Sequence, residues 1–417
     1  MSRMALTASE FELIRENPYR ADFPLLAADP ELVFLDSAAT AQRPAAVLEA
    51  LTRFYETMNA NPLRGLYSLS VAATSAIDEA RAKIARFIGA ASADEIVFCR
   101  NASEALNLVA HVLPELVGLG PGDEVAITIM EHHSNLIPWQ EACRRSGAKL
   151  VHLYLDEDFR IPEGELAKIG PATKIVSATH VSNVLGTVTD VAELARRAHG
   201  QGAVVVVDGA QSAPHIPVDV AALDADLFAF SAHKLGGPMG IGVLWGKAAL
   251  LDEMPPFLTG GEMIDSVTET DAIWAPVPAK FEAGTQDAAG AFATGAAIDY
   301  LAERGMDVLE AREALLTRYL VDRLGELDYV RIIGPADGER HVSAVSFAVG
   351  DVHPHDVASI LDMSKVCIRA GHHCAQPLLA RLGEESTCRA SVAFYNDAND
   401  IDRLIEGLTK VWSVFHG

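Results

Sequence analysis

From about residue 90 onwards the chain alternates short apolar runs with longer amphipathic stretches. The apolar runs are rich in β-branched residues, show no alternation of period two, and are bounded by Gly, Pro, Asp and Ser, as expected of strands buried on both faces. Strands and helices that take turns along a chain are typical of a mostly parallel sheet covered by helices. The predicted strands are Glu95 to Phe98, Glu124 to Ile129, Leu150 to Leu155, Lys174 to Ala178, Ala203 to Val207 and Leu227 to Phe230.

A different pattern follows about residue 300, where a long helical stretch, Ala311 to Leu327, comes before four more strand-like runs. This pattern predicts a second, smaller α/β domain. The stretch Thr259 to Lys280 is longer than an ordinary connection, so we interpret it as an ordered loop that serves the site or a dimer. The four runs are Tyr329 to Ile333, Val342 to Val349, Val366 to Arg369 and Ala390 to Phe394.

The first residues predict a helix, because Thr7 and Glu10 form a capping box at the start of an amphipathic stretch. No internal repeat or low-complexity segment divides the chain further. We expect an N-terminal segment over 1–30 that packs with the small domain, a large domain over 31–300 and a small C-terminal domain over 301–417.

Composition narrows the possible partners, since the 417 residues are half apolar and carry a formal charge of -24 at pH 7. Nucleic-acid binding depends on Lys and Arg that replace counterions, so this charge excludes nucleic acid and anionic membrane surfaces. No apolar run reaches the ~20 residues of a membrane span, and the N-terminus lacks a signal-peptide core, so a soluble protein is expected. The five cysteines form no CxxC pair, which predicts reduced thiols in a cytoplasm.

Two charged residues mark the ends of neighbouring buried strands. Asp208 ends the run Ala203 to Val207, and Lys234 follows the next strand. Taken alone, the Asp is explained as a helix cap or loop carboxylate and the Lys as a solvated surface group. Ligands of parallel sheets bind at the carboxyl ends of the strands. A pyridoxal phosphate (PLP) enzyme needs this pair, because a lysine amine holds the aldehyde and a carboxylate keeps the pyridine nitrogen protonated.

A phosphate site is predicted between the strand that ends at Phe98 and the following helix. Ala102 and Ser103 lie there, and a helix N-terminus with a small hydroxyl suits a phosphate. Simple capping of the helix by Ser103 is the alternative. Ser231 and His233, beside Lys234, are predicted to complete this phosphate site.

His132 lies at another strand end and is a candidate to stack on the pyridine ring and relay protons. A satisfied histidine or a metal ligand is the alternative. The neighbouring pairs His132-His133 and His372-His373 suggest zinc, but adjacent ligands without acidic companions have poor spacing for a metal. We therefore expect no metal.

Cys374 lies in the stretch Arg369 to Pro377, which has the Gly and Pro of a mobile loop. A free Cys is ordinarily a small buried hydrophobe. The neighbouring His and Arg side chains instead favour a thiolate, which is the nucleophilic form. Four cysteines fall in strand or helix patterns and are assigned structural roles: Cys99, Cys143, Cys367 and Cys388.

With these residues the chain resembles the class II, Suf-type cysteine desulfurases of the PLP-dependent aminotransferase class V family. The similarity runs from Leu35 to the C-terminus. It is carried by Leu35 to Ala39, Met130 to Trp139, Thr179 to Gly186, Val207 to Gln211, Glu282 to Thr285, Arg369 to Pro377 and Cys388 to Ser391.

The resemblance implies an α/β protein of PLP-dependent transferase fold type I, the aspartate aminotransferase type. Its large domain has a mostly parallel seven-stranded sheet, and a smaller α/β C-terminal domain follows. The resemblance places Lys234 on PLP as a Schiff base, Asp208 on the pyridinium, His132 on the ring face and Gln211 at the phenolic oxygen.

The remaining implied roles concern the phosphate and the substrate. Ser103, Ser231 and His233 hold the phosphate, and Thr285 reaches the phosphate of the neighbouring subunit of a homodimer. The substrate-binding residues are Asn183, Arg369 and Arg389, with Arg389 on the carboxylate.

The implied reaction converts L-cysteine to L-alanine. Lys234, once displaced by substrate, removes the Cα proton, and the Cys374 thiolate then attacks the substrate sulfur. The Cys374 persulfide passes to an acceptor protein for iron-sulfur cluster assembly. A selenocysteine lyase or cysteine sulfinate desulfinase is a same-fold alternative. A sulfur-carrying scaffold without catalysis is a further alternative, against which the intact Lys234, Asp208 and Gln211 argue.

The stretch Asp351 to Asp356 resembles that of desulfurases whose acceptor is a SufU-like zinc protein, with His355 as a ligand of the partner's zinc. Helix capping by His353 and His355 is the alternative, and a SufE-like acceptor is possible. Two departures from the family pattern bear on substrate contact and acceptor docking. Leu63 and Tyr67 stand in a stretch that usually contains His, and Ala102 stands where Thr is usual.

Overall fold

The computed structural model describes residues 6–63 and 65–417, which form four sheets and fourteen α-helices. The strands are β1 Val33–Phe34, β2 Ile96–Cys99, β3 Glu124–Thr128, β4 Lys149–Leu153, β5 Thr173–Thr179, β6 Val204–Asp208, β7 Leu227–Ser231, β8 Gly242–Gly246, β9 Ile264–Val267, β10 Ala272–Trp274, β11 Val330–Ile333, β12 Ala344–Val349, β13 Val366–Cys367, β14 Arg369–Gly371 and β15 Thr387–Ser391. The helices are α1 Ala8–Arg15, α2 Pro24–Ala28, α3 Ala45–Thr57, α4 Ser68–Phe87, α5 Ala102–Leu116, α6 His133–Ser146, α7 Glu163–Leu166, α8 Val191–His199, α9 Ala248–Glu253, α10 Ala288–Arg304, α11 Met306–Leu324, α12 Pro354–Asp362, α13 Gln376–Arg381 and α14 Ala398–His416.

The largest sheet has seven strands in the order β2-β8-β7-β6-β5-β3-β4. The two pairs that contain β8 are antiparallel and the other four pairs are parallel, so the predicted mostly parallel seven-stranded sheet is confirmed. Strand β8 was not predicted from the sequence, because Gly242 and Gly246 at its ends weaken the strand pattern. Gly242 is required there: a Cβ at this position would lie 2.3 Å from the Cα of Asn101. The loop that precedes α5 can therefore lie directly on the sheet.

Both faces of this sheet are buried, which explains the unalternated apolar runs. Val207 and Phe228 pack into one hydrophobic cluster, whereas Val206 and Ala229, their chain neighbours, pack into the cluster on the opposite face. Full burial of each large apolar side chain contributes about 1.5–3 kcal/mol. The sheet thus fixes the positions of the loops that follow β5, β6 and β7.

The second sheet is antiparallel, in the order β11-β12-β15-β14. The predicted helix Ala311 to Leu327 begins and ends earlier, as α11. The predicted strand Ala390 to Phe394 was misplaced, and its sheet pairing ends at Ser391. Beyond that point, side chains of α11 satisfy the backbone: Phe394 N–H donates to Glu313, and Arg312 donates to the Phe394 carbonyl.

The prediction of a loop over Thr259 to Lys280 is also partly wrong, because this stretch contains the antiparallel hairpin of β9 and β10. Val267 and Ile273 on this hairpin are both more than half exposed. In the described single chain the hairpin therefore presents apolar side chains outwards.

The N-terminal segment contacts both parts of the molecule. Thr7 caps α1 in the predicted capping box. Ile14 lies in the cluster behind the small sheet, whereas Phe23 and Leu26 lie in the main cluster of the large sheet. The division into domains at residues 30 and 300 stays a prediction. Within the described residues, no helix has the length and apolar character needed to cross a membrane.

Candidate active site

A cavity of about 230 Å³ opens at the carboxyl ends of the parallel strands. The ends of the strands of the large sheet and the segments that follow them supply most of its lining, and β14, β15 and the loop between β14 and α13 supply the rest of it together with residues that follow β1. The cavity brings together twelve residues singled out from the sequence: Ala102, Ser103, His132, Asn183, Asp208, Gln211, Ser231, His233, Lys234, Arg369, Cys374 and Arg389.

Lys234 and Asp208 supply opposite charges to one wall. Burial lowers the pKa of Lys234 to about 8, although the Asp208 carboxylate opposes this shift. Burial raises the pKa of Asp208, while the Ala210 N–H and the Lys234 charge lower it. Asp208 Oδ1 accepts from Ala210 N–H at 3.0 Å, and Oδ2 has no hydrogen bond with any described residue. A buried carboxylate of this kind requires a cationic partner.

The N-terminus of α5 and two hydroxyls form another corner of the cavity. Ala102 N–H donates to Ser231 Oγ at 2.8 Å, and Ser103 Oγ lies 2.6 Å from Ser134 Oγ. The Ser231 hydrogen and one hydrogen of the Ser103–Ser134 pair remain free to donate. Together with the positive end of α5, they form a site for a dianionic group such as phosphate.

His233 borders the same corner. Its Nδ1 lies 3.1 Å from Thr40 Oγ1. Burial lowers the pKa of His233 to about 4, with a further contribution from Lys234. The ring is therefore neutral at physiological pH and offers a single N–H.

His132 is the N-cap of α6, and its Nδ1 accepts from the Ser134 N–H at 3.1 Å. Burial, then the charge of Lys234, lower the pKa of His132 to about 3. The imidazole is therefore neutral and carries its hydrogen on Nε2. Such a ring can lie flat against an electron-poor aromatic ring without charge repulsion.

Gln211 is held by its own amide, which donates to the Ala38 carbonyl at 2.7 Å. The other N–H and the amide oxygen stay available to the cavity. The motif Leu35 to Ala39 thus positions a side chain 173 positions away in the sequence.

Arg369 and Arg389 lie directly opposite each other on β14 and β15. Asp36 sits between them, with Oδ1 3.1 Å from Arg389 Nη2 and Oδ2 3.8 Å from Arg369 Nη1. Arg389 Nη1 also donates to the Asn183 carbonyl at 2.9 Å. Two guanidinium groups facing one acid leave net positive charge, and a substrate carboxylate is the natural partner for it.

Cys374 reaches the cavity from a loop that is hydrogen-bonded to two other segments, whereas its predicted mobility stays a prediction. Asn183 Nδ2 donates to the His373 carbonyl at 2.6 Å, and the His133 N–H donates to the Cys374 carbonyl at 2.7 Å. His373 and Cys374 both have left-handed backbone conformations, with φ of 51° and 58°. This conformation costs roughly 1–2 kcal/mol per non-glycine residue, which the hydrogen bonds must offset.

The other four cysteines are poor nucleophiles. Burial raises the pKa of Cys143 to about 11 and that of Cys388 to about 12. It also raises the pKa of Cys99 and of Cys367. These thiols stay protonated at neutral pH, and only Cys374 of the five lines the cavity.

Some residues predicted from the sequence lie elsewhere. Thr285 lines a separate cavity of about 370 Å³, beside Arg100 and Gln286. Leu63 and Tyr67 are largely exposed near the start of α4, and Arg64 between them lies outside the described residues. His355 is exposed near the start of α12, where His353 Nδ1 caps the helix by accepting from the His355 N–H. The capping alternative is therefore correct for His353.

Several residues of the cavity were not predicted from the sequence. Ser134 and Thr179 belong to motifs that were recognised, but no signal gave them a role. Asp36 also lay in a recognised motif, and its acidic side chain next to a strand was the available signal. The partners of these side chains are distant in sequence, so their roles depend on the fold. Within the described residues, no cluster of three His, Cys, Asp or Glu side chains is arranged to hold a metal ion.

Comparison with known proteins adds independent findings. The family model of aminotransferase class-V matches residues 33–404. A probable cysteine desulfurase of Halalkalibacterium halodurans is 50% identical over 92% of this chain and 94% of its own. A probable cysteine desulfurase of Streptomyces coelicolor is 47% identical over 97% of this chain and 98% of its own. The apo structure of a cysteine desulfurase from Thermococcus onnurineus superposes with a TM-score of 0.91 at 38% identity, covering 99% of this chain and 100% of that one.

Proposed function

The chain belongs to the aminotransferase class-V family, and on this premise we propose that it is a cysteine desulfurase. In this proposal Lys234 is the base that deprotonates the substrate, and Cys374 is the nucleophile that takes its sulfur. Its fold is that of type I PLP-dependent transferases. One observation carries the proposal: a single cavity holds Lys234, Asp208, the paired arginines and Cys374. These are the groups that a PLP enzyme acting on the sulfur of an amino acid requires.

The cavity fits PLP on several independent features. The buried Asp208 carboxylate has an unpartnered oxygen suited to a protonated pyridine nitrogen. The Lys234 amine has no hydrogen bond or ion pair with the described residues and is suited to an aldehyde. Ser103, Ser231 and the start of α5 would hold the phosphate, and Gln211 would hold the phenolic oxygen. When bound, PLP supplies an electron sink for the substrate Cα.

The chain's own residues then bind and deprotonate the substrate. Arg389, fixed by Asp36 and Asn183, would take the carboxylate of L-cysteine, with Arg369 beside it. Lys234 would remove the Cα proton, because its lowered pKa of about 8 makes the free amine accessible at neutral pH. The neutral His132 would hold the ring plane and exchange protons through its Nε2 side.

Cys374 would act last. Its thiolate attacks the substrate Sγ, so that a sulfur–sulfur bond forms and the substrate Cβ–Sγ bond breaks. The electron pair of the broken bond stays on the substrate, whose Cβ takes a proton and becomes the methyl group of alanine. The products are alanine and a persulfide on Cys374, from which an acceptor protein takes the sulfur. We place this activity in the cytoplasm, since all five cysteines are free thiols.

We further propose a homodimer in which Thr285 completes the phosphate site of the partner subunit. In the single chain Thr285 lies in a cavity separate from the phosphate corner, although the motif Glu282 to Thr285 belongs to the family pattern. Glu282 makes a buried ion pair with Arg81 at 2.8 Å, which fixes the start of this motif. The motif is therefore anchored three residues before Thr285.

Heterodimers test this arrangement. A dimer of one Lys234→Ala chain and one Thr285→Ala chain should retain one intact site and about half of the parent activity. A dimer of one parent chain and one chain with both substitutions should bind PLP about tenfold more weakly at its only lysine site, since it lacks a hydrogen bond to phosphate. PLP titration and alanine release are measured on both purified heterodimers and compared. Equal results, or a fully active monomer in sedimentation, would refute the shared site.

For the acceptor we propose a SufU-like zinc protein, with a SufE-like protein as the alternative. His353 is used as a helix cap, whereas the His355 side chain is exposed and has no hydrogen bond with the described residues. His355 is therefore free to ligate a partner's zinc.

The test of this acceptor is turnover with the zinc protein present. His355→Ala should lower the stimulation of alanine release by that protein about tenfold, relative to the variant's own rate without it. His353→Ser, which keeps a good N-cap, serves as the matched control and should keep the stimulation. Unchanged stimulation in His355→Ala would favour a purely structural role.

A further inference from the structure

His133 is bonded to the loop of Cys374 at two points, in opposite directions. Its backbone N–H donates to the Cys374 carbonyl at 2.7 Å. Its imidazole Nε2 accepts from the Gln376 N–H at 3.2 Å. We call this pair of bonds the His133 clamp.

The clamp joins the N-termini of two helices. His133 is the first residue of α6 and Gln376 is the first residue of α13, and the backbone N–H groups of a first turn have no partner within their own helix. Helix α13 has no side-chain cap of its own. The imidazole of His133 therefore supplies the hydrogen-bond acceptor that the first turn of α13 lacks. The backbone N–H of His133, which has no partner within α6, donates to the Cys374 carbonyl.

The clamp acts where the backbone needs support. Cys374 has a left-handed φ of 58°, and such conformations persist only when the surroundings determine them. Asn183 holds the carbonyl of His373, the preceding residue. The Cys374 carbonyl itself and the residue two positions later are held by His133.

The clamp also connects the loop of Cys374 to the wall of the cavity that carries His132. His132, the neighbour of His133, is the N-cap of α6 and lines the cavity with Lys234. Because His133 belongs to the same helix start, its bonds tie Cys374 to the wall that carries His132. Burial, then the charge of His372, lower the pKa of His133 and favour the neutral ring. The bond from the Gln376 N–H requires the tautomer in which Nε2 carries no hydrogen.

We propose that His133 is a positioning residue, which holds the sulfur of Cys374 at the distance from the bound substrate that sulfur transfer requires. This inference rests on the proposed role of Cys374 as nucleophile. It assigns His133 no contact with substrate or cofactor. Replacement of the His133 side chain should therefore slow the transfer of sulfur to Cys374 and leave the removal of the Cα proton by Lys234 unchanged.

The test compares His133→Leu with His133→Gln in the holoenzyme. Leu fills similar space without an acceptor, whereas the Gln amide oxygen can accept near the position of Nε2. Three quantities are measured: exchange of the substrate Cα hydrogen with deuterated solvent, alanine release in a single turnover, and the rate at which iodoacetamide alkylates Cys374.

In His133→Leu, alanine release should fall about three- to tenfold, the effect of one lost hydrogen bond, while Cα exchange stays at the parent rate. The rate at which iodoacetamide alkylates Cys374 in His133→Leu should differ from that in the parent. His133→Gln should restore alanine release to within about twofold of the parent. Parent-like alanine release in His133→Leu would overturn the proposal, as would an equal fall of exchange and release, or no rescue by Gln. A persulfide found on another cysteine of the parent enzyme would instead overturn the role of Cys374 itself.

Discussion

Replacing Lys234 with Ala should lower alanine release by about 10³-fold or more, the usual range for loss of a residue that acts as both base and covalent anchor. Lys234 lines the cavity with Asp208, and its amine has no ion-pair partner among the described residues. No other lysine lines the cavity. The substrate Cα proton would therefore have no base of suitable position.

The variant should still bind PLP, although more weakly. The corner formed by Ser103, Ser231 and the start of α5 does not depend on Lys234. Lys234→Arg is the matched control, because it restores the positive charge but its guanidinium stays protonated and cannot act as a base. Absorbance of bound PLP and alanine release are the two measurements. Near-parent turnover in either variant would contradict the assignment.

Replacing Cys374 with Ala should separate the two halves of the reaction. Lys234 acts before the thiol, so exchange of the substrate Cα proton should continue at close to the parent rate. Alanine release should fall to near zero, because the substrate sulfur has no acceptor. Deuterium incorporation into recovered cysteine and alanine formation are measured on the same sample.

Cys374→Ser is the control for this variant, since a hydroxyl of similar size is a far weaker nucleophile at neutral pH. It should behave like Cys374→Ala. The remaining thiols cannot substitute, because burial raises the pKa of Cys99, Cys143, Cys367 and Cys388. Alanine formation at the parent rate in Cys374→Ala would show that another group takes the sulfur.

The sequence predicted the central part of the cavity because that part obeys local rules. Asp208 ends β6 and Lys234 follows β7, and the carboxyl ends of parallel strands meet at one edge of a sheet. The continuous apolar runs predicted these strands correctly, because both faces of the sheet are buried. The types of these two residues and their positions after strands were therefore sufficient to predict that they lie in one cavity.

Other features depend on contacts that no local pattern contains. Gln376 and His133 are 243 positions apart, and Asp36 and Arg389 are 353 positions apart. Strand β8 was missed because Gly242 is there to admit the Asn101 backbone, which lowers its strand propensity. The end of β15 was misplaced because α11 side chains take the backbone bonds of Phe394.

The loop of Cys374 illustrates the same limit. Gly371 and Pro377 in the sequence predicted mobility, but bonds from His133 and Asn183 hold the loop. His133 begins α6 and Asn183 lies between β5 and α8, so both are far from the loop in sequence. Ala375, Leu378 and Leu379 add apolar contacts with the residues that follow β3 and β5. The contacts of this loop with other segments therefore cannot be read from its own composition.

The central claim is that Cys374 receives the sulfur of cysteine. The most direct test is peptide mass spectrometry of the holoenzyme after a single turnover with L-cysteine, without an acceptor and under conditions that preserve persulfides. The account predicts one additional sulfur atom on the peptide that contains Cys374, in amounts equal to the alanine formed. Additional sulfur on the peptide of Cys99, Cys143, Cys367 or Cys388, with Cys374 unmodified, would contradict it.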